Sequence, residues 1–153
     1  MLGGELLSSE WRPDDSLSER DQKGQLRGKL RIRAALRKNK VSLGKGVITS
    51  RDPGMAAVMR DLKRSGMPRG VQSTQMPIVI GRDLLCFIST IDPGTIVPEH
   101  AHTHAVLRVV IEGELIFGRK VLKPGDWMFV PARTTYSIRA GRKKKLKIFY
   151  GHG

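Results

Sequence analysis

From Val71 onward, short apolar and β-branched runs alternate with turn residues. "MPIVI" stops at Gly81, "LLCFISTI" at "DPG", and "TIVPEHAHTHAVLRVVI" at "EGE"; "LIFG", "RKVL", "WMFVP", "YSIRAG" and "LKIFYG" follow at similar spacing. Many short strands punctuated by Gly and Pro predict a mainly β sandwich or small barrel. Upstream, "SRDPGMAAVMRDLKRSG" predicts a short helix, with Asp52 as its cap and Pro53 in the first helical position. Its apolar stripe is Met55, Val58, Met59 and Leu62, and Gly66 ends it. "QLRGKLRIRAALRKNK" reads both ways: Leu26, Leu30 and Leu36 fall near helical spacing, while "KLRIR" alternates like an edge strand. Residues 1–24 lack the apolar density to hold a fold alone. The pattern therefore divides the chain into a basic, partly flexible N-terminal extension over 1–45 and a barrel domain with a leading helix over 46–153.

Charge changes the picture in one respect. The 153 residues carry a net charge of +14. Ten Lys or Arg and no acid lie between Lys23 and Arg51, and "GRKKKLK" spans 141–147. Such runs could attract an acidic partner or a phosphate backbone, but no aromatics are interleaved with them, which argues against specific nucleic-acid recognition. Cys86 is the single cysteine, so neither an intramolecular disulfide nor a cysteine-based zinc site is available. The start of the chain has no signal-peptide pattern, and no run of about 18 apolar residues occurs. The expectation is a cytoplasmic protein without a membrane span.

Candidate chemistry centres on "EHAHTHAVLRVVIEGEL", with three of the four histidines. On one extended strand His100, His102 and His104 would share a face with Val106 and Arg108. Two such imidazoles make half of a metal site, and a divalent ion usually takes three or more protein ligands. The same residues could equally be a barrel face of neutral histidines. Arg108, if it faces inward, needs a partner, and a substrate carboxylate would supply one; a strand bulge would instead turn it outward. Glu112 and Glu114 flank Gly113 in a turn expected to be exposed. Trp127 and Phe129 are expected to pack in the core or a dimer interface. His152, next to the last residue, could fold over a barrel mouth but reads more simply as a frayed end.

"PGTIVPEHAHTHAVLRVVIEGEL" resembles the first motif of the cupins, G(x)5HxH(x)3,4E(x)6G, and "KPGDWMFVPARTTY" resembles the second, G(x)5PxG(x)2H. Gly94, His100, His102 and Gly113 stand in register, as do Gly125, Asp126 and Pro131. Val106 replaces the motif's acid, Tyr136 its last histidine and Arg133 the glycine before it. The resemblance spans about residues 71–150 and implies a double-stranded β-helix, a jelly-roll barrel whose mouth holds a metal and a small organic substrate, commonly in a homodimer. On that basis the expected ligands are His100, His102 and His104, binding Fe(II) before Zn, Mn or Ni. Arg108 would hold the substrate, and Tyr136 would exchange a proton or ligate. The implied function is a small metal-dependent enzyme with dioxygenase or Lewis-acid isomerase, cyclase or lyase chemistry on an oxygenated substrate. The alternatives are a non-catalytic small-molecule-binding cupin and a basic scaffold for an acidic partner.

Overall fold

A computed structural model describes residues 26–153. Residues 1–25, which belong to the extension read from the sequence, lie outside the described residues. In chain order the elements are α1 (Gly28–Lys38), α2 (Met55–Asp61), β1 (Val71–Ile80), β2 (Leu84–Ile91), β3 (Ile96–His100), β4 (Val106–Glu112), β5 (Leu115–Phe117), β6 (Lys120–Leu122), β7 (Trp127–Val130), β8 (Tyr136–Ala140) and β9 (Leu146–His152). The strands form two antiparallel sheets, ordered β1-β2-β9-β4-β7 and β3-β8-β5-β6. This is the expected jelly roll.

Alternation along each strand decides which side chains meet between the sheets. Leu85, Phe87 and Ile91 of β2, Val106 and Val110 of β4, Ile138 of β8 and Leu146 and Ile148 of β9 are all buried in one cluster. Ile32 of α1 joins that cluster, so the first helix packs on the barrel. The ambiguous segment is thus a helix, and its register is pinned where the Gln75 amide donates to the Gly28 carbonyl at 3.1 Å. A second cluster, Ala35, Met55, Val58 and Leu62, joins the two helices.

The helix at 55–61 forms, but its start differs from expectation. Gly54, at φ 80°, is the cap residue. Asp52 instead accepts hydrogen bonds from the Thr49 backbone N–H and hydroxyl, closing the turn before the helix. The turn glycines of the two barrel motifs do adopt the left-handed conformation that favours their residue type: Gly94, Gly113 and Gly125 have φ of 73°, 81° and 93°.

Trp127 and Phe129 do not enter the core. On β7 it is Met128 and Val130 that turn inward, leaving Trp127 64% and Phe129 56% exposed on the outer face of the five-stranded sheet. His152 is not frayed: it pairs with Leu85 and Val106 inside the sheet and is 1% exposed. No helix among the described residues is long and apolar enough to cross a membrane.

Candidate functional site

The histidine segment is not one strand. β3 ends at His100 in the four-stranded sheet and β4 begins at Val106 in the five-stranded sheet, so residues 101–105 are a bent crossing between sheets. Strand parity therefore does not place His102 and His104. A backbone bond from the Arg133 N–H to the His102 carbonyl, 2.6 Å, fixes the crossing instead. Arg133 holds φ 61° at the position where the cupin motif has glycine.

That bend brings His100 and His102 together. Their Nε2 atoms are 3.1 Å apart and their rings meet edge to face. His100 Nδ1 lies 2.6 Å from the Pro98 carbonyl oxygen. A carbonyl only accepts, so His100 carries its proton on Nδ1 and presents a lone pair at Nε2. Tyr136, paired with His100 across β3 and β8, places its Oη 3.1 Å from His102 Nε2. Arg108 donates to the same oxygen from Nε at 3.2 Å and Nη2 at 2.8 Å. Tyr136 Oη thus accepts from Arg108 and lies within hydrogen-bond reach of His102 Nε2, whose role toward Tyr136 Oη and His100 Nε2 is set by its tautomer.

Arg108 does face inward and is 6% exposed. Its guanidinium sits 4.7 Å from the Tyr150 ring centroid and 5.7 Å from that of Tyr136. Sequence reasoning missed a second inward arginine. Arg64 follows α2, where its N–H bonds to the Ser73 carbonyl and runs the chain along the edge of β1. The side chain reaches the mouth, donating from Nη1 to Tyr150 Oη at 2.7 Å and lying 5.3 Å from the Phe87 ring centroid. No local pattern signals this; the residue reads as one more base in "DLKRSG".

These groups surround a cavity of about 30 Å³ with Arg64, His100, His102, Arg108 and Tyr150 in its wall and no Asp or Glu among the described residues that line it. Burial pushes the His102 imidazole down to about 3, with the neighbouring His100, Arg108, His152 and Arg64 adding in the same direction. Burial likewise lowers His100, reinforced by Arg108 and opposed by the Pro98 carbonyl. Both rings are thus neutral near pH 7, in a positive field.

His104 does not complete the expected three-histidine set. Its ring stacks toward His152 with centroids 6.3 Å apart, and no group of three or more His, Cys, Asp or Glu among the described residues is arranged to hold a metal ion. Val106, in the motif's acid position, points inward but is fully buried in the core. The donors that do converge are His100 Nε2, His102 Nε2 and Tyr136 Oη. Two cis ligands about 2.1 Å from a metal stand about 3.0 Å apart at a right angle, close to the 3.1 Å between the imidazole nitrogens. The donor pair fits a first-row divalent ion, with the Nδ1 bond to Pro98 fixing one ring as metal-ligating histidines require.

Residues 87–150 match the family model described as a cupin domain. Solved structures with the same fold include an RmlC-like cupin protein from Ralstonia eutropha, 16% identical with a TM-score of 0.52, covering 60% of this chain and 61% of that one. The Rhodobacter sphaeroides SigE complex with the anti-sigma ChrR is likewise 16% identical, with a TM-score of 0.53, and covers 99% of this chain and 75% of that chain. A further Ralstonia eutropha protein, of unknown function and cupin-like fold, is 16% identical with a TM-score of 0.47; the match takes in 55% of this chain and 55% of that protein's length. No curated protein matches the chain. At these identities the structural likeness of the two matches with TM-scores above 0.5 concerns the fold alone: the chain has a two-sheet barrel of cupin-like fold, and its residues 87–150 are similar to the cupin domain.

Proposed function

We propose that this domain is a small metal-dependent cupin enzyme that binds a compact, oxygenated organic anion at the barrel mouth. One observation carries the reading: His100 Nε2, His102 Nε2 and Tyr136 Oη converge, the two imidazole nitrogens 3.1 Å apart and the phenol oxygen 3.1 Å from His102 Nε2, a spacing that suits ligands of one cation. His100 and His102 would hold a divalent metal, with Tyr136 Oη as third donor. Imidazole and phenolate suit Fe, Zn, Ni or Cu.

When bound, the metal supplies Lewis acidity at an oxygen of the ligand. The chain's own residues do the rest. Arg108 pairs with and orients the anion, its fork already aligned by two bonds to Tyr136. Tyr136 would serve as a donor in its phenolate form, giving up its Oη proton to solvent. Tyr150, stacked on Phe87 with ring centroids 4.7 Å apart, forms part of the cavity wall. The small volume admits the oxygens of a compact anion or one or two waters, and excludes a drug-sized molecule.

Val106 favours a second reading, a binding cupin without turnover, because an apolar residue stands where the motif places an acid. Metal analysis after loading with Fe(II), Zn(II), Mn(II) or Ni(II) and dialysis tests the proposal. Near one equivalent in the wild type, lost in both His100→Ala and His102→Ala, supports it. Absence of tight uptake of any of the four ions would refute it.

A further inference from the structure

The cavity changes character along the barrel axis. Arg108, Tyr150 and Phe87 stand in one cross-strand row. Two residues further along each strand, about 6–7 Å away, the row is Val110, Ile148, Ser89 and Ser73, and beyond it come Leu146, Ile91 and Val71. The lining follows that gradient, from His100, His102, Arg108 and Tyr150 at one end to Val71, Ile91, Val97 and Ile148 at the other. Ser89, in the second half, already donates its hydroxyl proton to Ser73 at 3.0 Å. Met67 and Pro68 complete the wall from outside both sheets, on the strap between α2 and β1. Gly66 and Gly70, at φ 70° and 82°, turn the strap, and the Val71 N–H donates to the Pro68 carbonyl at 3.0 Å, which sets it against the apolar end.

We infer that Met67 is a specificity-determining residue and that the pocket takes an anion with a short apolar tail, such as a short-chain aliphatic carboxylate, its oxygens on Arg108 and its tail against Met67, Val97 and Ile148. This rests on the anion-binding reading above and narrows its substrate class. Three features support it. An anion without a tail would leave the far end to water, which needs two to four polar partners where Val71, Ile91, Val97 and Ile148 offer side chains that have none to give. The enclosed space of about 30 Å³ is that of one or two waters, so a tail enters by moving a wall residue. Met67, unbranched, half-buried and outside the sheet ladders, is the wall residue that yields most easily, and its side chain then sets the length of tail that fits.

The strap is held by backbone bonds on both sides of Met67, Arg64 N–H to Ser73 O at 2.8 Å and Asp92 N–H to Gly70 O at 2.8 Å. Substitution of the Met67 side chain should therefore leave it in position. Calorimetric titration of the full chain with acetate, propionate, butyrate and hexanoate tests the inference. In the wild type affinity should rise about fourfold with each methylene from acetate to butyrate, the factor that one buried CH₂ gives, and fall again by hexanoate. Met67→Ala, which opens the apolar end, should bind hexanoate about tenfold more tightly than the wild type does while acetate affinity stays within about twofold. Met67→Leu should keep the wild-type order, and Arg108→Gln should weaken every acid that binds without changing that order. A wild-type series that is flat from acetate to butyrate, or a Met67→Ala series with the wild-type order, overturns the inference; if acetate still binds and Arg108→Gln weakens it, the anion site stands without the tail. Should none of the four acids bind, the anion-binding reading falls and the inference falls with it.

Discussion

His102 Nε2 lies 3.1 Å from His100 Nε2 and 3.1 Å from Tyr136 Oη. One imidazole nitrogen is thus the shared corner of a three-donor set. That set is drawn from the end of β3, the crossing after it and the start of β8, so it depends on the β3–β8 pairing and on the bend that follows His100. The consequences for stability and binding can be measured separately.

The depressed His102 and His100 values make the metal-free protein sensitive to acid. The unfolded chain takes up a proton on each ring near the ordinary 6.5, whereas folded His102 does so only at about 3. Between those values the unfolded state binds more protons, so stability falls as pH is lowered. Tm should be level above about pH 6.5, drop from there towards about 3, and drop less steeply in His102→Gln. An unchanged slope in that variant would show that His102 is not the group responsible.

Arg108 holds its charge in a costly place, 6% exposed. Replacing a buried ion with an apolar side chain of similar length is often neutral or stabilising by about 1–4 kcal/mol, so Arg108→Met should leave metal-free stability unchanged or raised, while binding of a small carboxylate such as acetate, the simplest probe of the proposed anion site, disappears. Denaturant melts and calorimetry check the two halves; stability lost by more than about 2 kcal/mol would mean that its bonds to Tyr136 serve the fold first.

Arg133 holds a left-handed backbone at φ 61°, where a side chain costs about 1 kcal/mol or more. Glycine keeps the N–H that bonds to the His102 carbonyl. Arg133→Gly should therefore raise stability by up to about 1 kcal/mol, after the entropy that glycine forfeits, with metal uptake intact. A loss of metal would instead make the Arg133 side chain part of what holds the crossing.

Gly113 and Gly118 share a positive φ, 81° and 60°, but only one is crowded. A Cβ on Gly113 would overlap the Lys145 carbonyl oxygen and come within 2.9 Å of the Leu146 Cα, whereas one on Gly118 meets nothing within 4 Å. Gly113→Ala should cost about 2–3 kcal/mol and Gly118→Ala about 1 kcal/mol. Equal costs would show that the conformation, not the close approach of the β9 backbone, dictates glycine at 113.

The barrel was legible because its signals are local. Gly94, Gly113 and Gly125 mark turns that need positive φ, and the apolar runs between them alternate as half-buried strands do. The site was legible only in part. His100, His102, Arg108 and Tyr136 are buried together, although the sequence leaves the direction of Arg108 open; shared strand parity with His104 needs a continuous strand, and the crossing at 101–105 breaks it. Trp127 and Phe129 stay out of the core because β7 is an edge strand with one face uncovered, so apolar identity does not imply burial within the chain. Arg64 left no trace in the sequence, since its burial depends on the chain turning back along β1, a tertiary event with no periodicity to announce it. His152 suffered from its position: a chain end reads as frayed unless its strand partners, Leu85 and Val106, are known.

The most direct test of the metal site is X-ray absorption at the metal edge of the loaded full chain, in the wild type and in Tyr136→Phe. Two imidazole nitrogens at about 2.0–2.1 Å together with oxygen donors, one of them lost in Tyr136→Phe, are the result expected from His100, His102 and Tyr136. Three imidazoles on the metal, or none, would contradict it.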